Sequence, residues 1–154
     1  MDLQAIANGI ATTVGTLTAT SGTATESLTA TADLPDTIAA SALLVYPPLG
    51  SLSLIMGGPR HEDDYTFHVK VLRDPVAVTP RTRWLYAWAT TMRSAVEPHF
   101  TLGLSYVTSA EAKSIRIELD GELYSSSATG KLERFDVVEL EVVVHVLELT
   151  TVGI

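Results

Sequence analysis

Val137-Val138-Glu139-Leu140-Glu141-Val142-Val143-Val144-His145-Val146-Leu147-Glu148-Leu149, close to the end of a chain of 154 residues, decides how the rest is read. Val138, Leu140, Val142, Val144 and Val146 form one wholly aliphatic parity; the other mixes Val137, Glu139, Glu141, Val143, His145 and Leu147. Alternation with period two in β-branched residues predicts a strand with one face on a core, because successive strand side chains point to opposite sides. At about 3.3 Å per residue this stretch reaches about 43 Å. A compact domain of this length has a radius of gyration of about 15 Å, so such a strand spans it and suits a protein that shares a sheet or an edge with neighbours.

Working back from it, Ser125-Ser126-Ser127-Ala128-Thr129-Gly130 is a polar, flexible loop by composition, and Asp120-Gly121 signals a hairpin turn. Ser114–Leu119 alternates as a strand with Ile115, Ile117 and Leu119 inward and Arg116 and Glu118 outward. Leu102–Val107 is a further short strand. Residues 80–96 carry the best helical pattern: Leu85, Trp88, Ala89, Met92, Ala95 and Val96 make one stripe, Thr79 is a suitable N-cap, Pro80 suits the first helical position, and Pro98 ends it. Tyr65–Arg73 is a strand with Tyr65, Phe67, Val69 and Val71 on one face. Ala42–Tyr46 is another, stopped by Pro47-Pro48, and Ser51–Met56 a weaker one, ended by Gly57-Gly58-Pro59. A helical turn is expected at Asp36–Ala40. Residues 18–32, rich in Thr, Ala and Ser, predict a flexible connector, with a strand at Glu26–Ala32 as the alternative. Residues 2–17 form an amphipathic helix on Leu3, Ile6, Ala7, Ile10, Val14 and Leu17, capped by Asp2 and weakened at Gly9 and Gly15. Strands in succession between two helices predict an α+β class: an antiparallel or mixed sheet packed by helices at about 2–17 and 80–96, in a single domain over 1–154. The core is expected at Leu85, Trp88, Met92, Val138, Leu140, Val142, Val144 and Val146.

Composition narrows the function classes. The net charge is −8, with no Lys or Arg before residue 60 and ten acids against four basic residues after 96. Phosphate-binding proteins need a concentrated cationic surface, so specific nucleic-acid binding is not expected. No run of apolar residues is long enough to span a membrane, and the start lacks the basic and apolar regions of a secretory signal. There is no cysteine, and no Gly-x-Ser-x-Gly, Gly-x-Gly-x-x-Gly or Walker loop. Arg60-His61-Glu62-Asp63-Asp64 has the atoms of a metal or acid–base site, but consecutive residues rarely converge on one ion, and a solvated turn is the expected reading. No enzyme and no cofactor are therefore predicted. His145 is either a surface histidine or a pH-sensitive interface residue beside Glu139 and Glu141. Trp84, four residues before Trp88 with Tyr86 between, sits at the rim of the core or anchors a neighbouring subunit.

The whole layout resembles the tail terminator (tail-completion) proteins of long-tailed, non-contractile bacteriophages. The resemblance runs through Leu3–Leu17, the Leu34-Pro35-Asp36-Thr37-Ile38 stretch, Leu43-Leu44-Val45-Tyr46-Pro47-Pro48, Tyr65-Thr66-Phe67-His68-Val69-Lys70-Val71-Leu72, the helix after Pro80, and Phe135-Asp136-Val137-Val138-Glu139-Leu140-Glu141-Val142. It implies a non-enzymatic ring, typically a homohexamer, made in the host cytoplasm and located in the virion at the head–tail junction. Its partners would be its own copies, the tail tube protein, the head–tail connector or neck protein, and genomic DNA passing through the lumen without specific binding. Under that expectation the basic middle of the chain (Arg60, Lys70, Arg73, Arg81, Arg83) meets acidic ends of the next copy, head to tail. Neck and head-closure proteins of the same virions share the pattern, and a small ligand-binding α+β domain with a cavity beneath helix 80–96 is the other reading.

Overall fold

The computed structural model describes residues 1–48, 60–74 and 79–149, with the side chains of Arg60, His61 and Leu149 outside that description. The strand expected at Ser51–Met56 and its Gly57-Gly58-Pro59 stop lie outside the described residues. In chain order the elements are α1 (Leu3–Val14), β1 (Thr16–Ser21), β2 (Ala24–Thr29), β3 (Ala42–Tyr46), β4 (Arg60–Leu72), α2 (Arg81–Arg93), β5 (His99–Phe100), β6 (Val107–Ser126) and β7 (Lys131–Leu149). This is an α+β protein: one five-stranded sheet in the order β3-β4-β7-β6-β5, antiparallel throughout, with two helices and a β1–β2 hairpin on one side.

β7 is the central strand. Its aliphatic parity faces Tyr65, Phe67, Val69 and Val71 of β4 across the ladder, in the pairs Tyr65–Val144, Phe67–Val142, Val69–Leu140 and Val71–Val138. These residues, with Ile6, Ile10 and Val14 of α1 and Leu85, Trp88 and Met92 of α2, form the main core. A smaller core on the opposite face joins Ile38, Leu44, Tyr46, Leu72, Phe135 and Val137 at one end of the sheet.

Several local expectations are corrected. Helix α1 stops at Val14, because Gly15 turns at a φ of +65° and returns its N–H to the Ala11 carbonyl; Leu17 of the expected stripe belongs to β1. The expected flexible connector at 18–32 is largely the β1–β2 hairpin. Its outer face is laddered by hydroxyl pairs, Thr16–Thr29 and Thr18–Ser27 at 2.7 Å, while Leu17, Ala19, Glu26 and Leu28 share the other face. Residues 36–40 are not helical; Ile38 is extended and bridged to Ser126. Arg60–Asp64 is the first part of β4 rather than a turn, since the ladder needs only its backbone groups. Residues 102–106 form no strand, and β5 is two residues long.

Helix α2 begins at Arg81 with Pro80 in the capping place, has no side-chain cap, and ends at Arg93, where Ser94 and Ala95 close a tightened last turn. Asp120-Gly121 is not a hairpin turn. It is a bulge inside β6, with Asp120 at a φ of +52° and a register shift between Glu118 and Glu122. Glycine is required at 121, because a Cβ there would lie 2.6 Å from that of Glu118. The reversal comes later, at 127–130, so the flexible loop expected over 125–130 is shorter: Ser125 and Ser126 pair with Leu132 and Lys131, and Ser126 is buried. Ile115, Ile117 and Leu119 alternate as expected, yet Ile117 and Leu119 are exposed because no helix covers that part of β6.

Candidate functional site: an ion-paired sheet face and an uncovered hairpin

The register of β4, β7 and β6 dictates two unlike faces. One is the apolar face beneath the helices. On the other, Asp64 stands opposite His145, His68 opposite Glu141 and Lys70 opposite Glu139, and β6 continues the rows with Ser109, Glu111, Ser114 and Arg116. The groups pair closely. His145 Nδ1 lies 2.5 Å from Asp64 Oδ1. His68 Nδ1 lies 2.6 Å from Glu139 Oε1, near enough for an ion pair but without hydrogen-bond alignment. Lys70 Nζ donates to Glu122 Oε2 at 2.9 Å, stands 4.0 Å from Glu139, and sits 4.3 Å above the centroid of the Tyr46 ring. Tyr46 donates its hydroxyl to the same Glu122 at 3.3 Å; burial, then the Glu122 charge, pushes its phenol well above the usual range. Lys113 pairs with Glu111, and this hydrogen bond holds the Glu111 carboxyl below its ordinary value and raises the lysine. Arg116 pairs with Glu118.

Counting the described side chains of this face by register, Glu62, Asp64, Glu111, Glu118, Glu122, Glu133, Glu139 and Glu141 supply eight carboxylates against the four cations Lys70, Lys113, Arg116 and Lys131, while Arg60 holds a position in the same β4 row with its side chain outside the description. Among the described residues no group of three His, Cys, Asp or Glu side chains could hold a metal ion. The chemistry this face offers is electrostatic: internally paired, with an excess of negative charge that repels a polyanion.

The start of α2 is fastened to the sheet by a knot centred on the buried Asp136. Arg81 donates through Nε to Asp136 Oδ2 at 2.6 Å and through Nη2 to Oδ1 at 2.5 Å, and its Nη2 is 3.2 Å from Asp120. The Asp120 amide donates to Asp136 Oδ1 at 2.8 Å. Burial acts to raise the Asp136 carboxyl, but the Arg81 and Asp120 hydrogen bonds outweigh it and hold it below the usual carboxylate range; the same pair raises Arg81. Beyond this knot β6 and β7 run on as a two-stranded ribbon. Leu119, Leu123 and Leu132 there are 59%, 49% and 58% exposed.

The residues predicted for subunit contact are scattered by the fold. Trp84 is not at a rim: it is 3% exposed, buried under the β1–β2 hairpin with Trp88. Both indole N–H groups donate to Glu26 Oε1 at 3.1 Å, and the rings meet at a centroid distance of 5.9 Å. That shared acceptor escaped the sequence reading; its only signal was an isolated acid in a run of hydroxyl and small residues. Arg81 and Arg73 spend their charge within the chain, Arg81 on Asp136 and Asp120, Arg73 near Asp136 at 3.9 Å and on the Thr79 carbonyl at 3.0 Å. Arg83 is exposed beside the β1–β2 turn, with Nη1 close to Gly22. The Arg60 side chain lies outside the described residues. His145, Glu139 and Glu141 share the ion-paired face. The exposed aromatic of α2 is Tyr86.

A groove of about 440 Å³ runs between the end of α2 and β6, lined by Met92, Val96, Pro98, Ala112, Ile115 and Leu140, with Arg93 and Lys113 at its rim. No described helix is long and apolar enough to cross a membrane. No family model, curated protein or solved structure matches the chain.

Proposed function

We propose that this chain is a virion structural protein of a long-tailed, non-contractile bacteriophage, a tail terminator whose copies form a ring, typically six, at the head–tail junction. The ring caps the tail tube and joins it to the head connector. The observation that supports this most is the asymmetry of the sheet: one face is sealed under helices, while the other is a wide, internally paired surface with excess negative charge. Turned toward a lumen, such a face lets DNA pass without adhering, because carboxylates repel phosphates and Lys70, Lys113 and Arg116 are already engaged with carboxylates of the same chain. The pairing of Arg73 and Arg81 within the chain removes them from the expected head-to-tail charge matching, so ring contacts in this reading rest on exposed apolar residues of the β6–β7 ribbon.

Adding the purified chain to polymerised tail tubes and imaging the tube ends tests the reading. Rings of about six copies at one end, and arrest of further growth, are expected; tubes that keep growing with no density at their ends would overturn it. Density on the connector but never on the tube would move the protein to the neck. A second reading has its own observation, the amphipathic groove under α2, which suits a small ligand with an apolar body and an anionic end. A thermal-shift screen with medium-chain carboxylates that raises the melting temperature, in a chain that never meets a tail tube, would favour it.

A further inference from the structure

The outer edge of β6 is open among the described residues. β5 covers only Ala110 and Glu111, the Ala112 amide goes to the Pro98 carbonyl, and the next contact along that edge is the Ile38–Ser126 bridge. Between those stops lies an uncovered slot that includes Lys113-Ser114-Ile115-Arg116-Ile117-Glu118-Leu119. An exposed edge with unpaired N–H and C=O groups is a template for another strand, and proteins commonly blunt it with charged side chains, lysine above all, which repel the same edge of another copy when all carry one sign. Here the charges are of both signs: Arg116 and Glu118 lie on one face, paired to each other and reaching solvent, and flank Ile117, which is 40% exposed on the other face.

We propose that this edge pairs antiparallel with the same edge of a second copy, about a two-fold axis through Ile117. In that register Arg116 of each copy stands opposite Glu118 of the other, Ile115 opposite Leu119, and Ile117 opposite itself. The neighbouring registers that keep the same faces together are disfavoured. Sliding two residues one way sets Arg116 against Arg116, and sliding the other way sets Glu118 against Glu118; like charges directly opposite destabilise a strand pair. Sliding by one residue turns the isoleucines to the charged side. β5 at one end and the Ile38 bridge at the other limit the joined stretch to the slot, and the two five-stranded sheets become continuous. The occupant is thus a second copy, chosen by charge complementarity, and the contact is closed and self-complementary. The dimer concerns the free chain and stands apart from the ring reading: either can fail alone. A ring that uses this edge must first open the dimer.

The chain has no cysteine, so single cysteines report the axis directly. Cα atoms facing each other across an antiparallel pair are about 4.5 or 5.5 Å apart, within disulfide reach. Ile117→Cys under mild oxidation is expected to give a covalent dimer. Ile115→Cys, whose copies lie about 13 Å apart in this register, is not. Sedimentation of the wild type should show a dimer that Arg116→Glu or Glu118→Arg weakens at least tenfold and that the double exchange restores, with melting temperatures unchanged. A wild type that stays monomeric at high micromolar concentration, equal cross-linking at 115 and 117, or a double exchange no better than either single would each overturn the proposal.

Discussion

The same two strands lead two different lives along their length. From Val138 to Val146, β7 has β4 on one side, β6 on the other, and helices across its aliphatic face, so that every residue of that parity is nearly or wholly buried. From Lys131 to Phe135 it has β6 alone, and Leu132, of the same parity, is mostly exposed. The parity that is wholly aliphatic from Val138 to Val146 reads Leu132, Arg134 and Asp136 in the ribbon, and there Leu132, its one aliphatic residue, has nothing lying on top. A strand pattern thus states which residues can be buried together, and the neighbours decide whether they are. The Asp136–Arg81 knot marks the border, at the last point where α2 reaches the ribbon.

The largest effect is expected at Val144, which is fully buried and faces Tyr65. Val144→Asp places an unpaired carboxylate there, at a cost of several kcal/mol, against a total stability of about 5–15 kcal/mol for a domain. Loss of the cooperative melting transition, or insoluble protein, is the expected result; a normal melt would mean the burial of β7 is inverted. The border comes second. Asp136→Asn keeps the shape and one acceptor but removes the charge that pairs with Arg81, and should lower stability measurably, by less than the loss of a fully buried pair because Arg81 is 42% exposed. Its folded carboxyl titrates below that of the unfolded chain. The pair's contribution is therefore complete above about pH 4 and is lost as the pH falls through the folded value. Wild-type stability should decline over that acid range and the variant's should decline less, as read by urea unfolding at pH 7 and pH 3.

The buried half was legible beforehand because its signal is local. Val138 to Val146 alternate, Leu85, Trp88 and Met92 recur at helical spacing, and all of them enter one core. The features that were missed need partners distant in sequence. Glu26 means nothing until the indoles of Trp84 and Trp88 arrive. Glu139, Glu141 and His145 share a parity, but the approach of Glu139 to His68 and Lys70 and of His145 to Asp64 depends on a register that no single strand encodes. The β1–β2 hairpin was hidden by size: its inner face offers Ala19 and Ala24 where a stronger strand would show larger side chains, and its outer face is all hydroxyl. Asp120-Gly121 has the residues of a turn, yet the chain bulges there and continues, because Tyr124 and Ser126 of the extended β6 are held by Pro35 and Ile38.

Glu26 offers a middle-sized effect. Glu26→Ala leaves two indole N–H groups without an acceptor beneath the hairpin, and a buried donor left unsatisfied costs about 1–3 kcal/mol. The variant should stay folded, with a lower melting temperature, a shifted tryptophan emission, and faster amide exchange confined to residues 16–29. Unchanged emission would mean that the two rings do not depend on this carboxylate.

The smallest effect completes the contrast with Val144. Leu132→Asp is chemically the same kind of change, a branched aliphatic side chain replaced by a carboxylate, on the same strand and at the same parity. Leu132 is 58% exposed, however, so the new charge stays hydrated and loses little packing. Surface changes away from caps and buried networks usually fall within about 0.5 kcal/mol. An unchanged melting temperature is therefore expected, although six such carboxylates in a ring would weaken any contact that the ribbon makes there. If Leu132→Asp instead lowers stability by about as much as Asp136→Asn, the ribbon is covered by something in the folded protein, and the border drawn at Asp136 is in the wrong place.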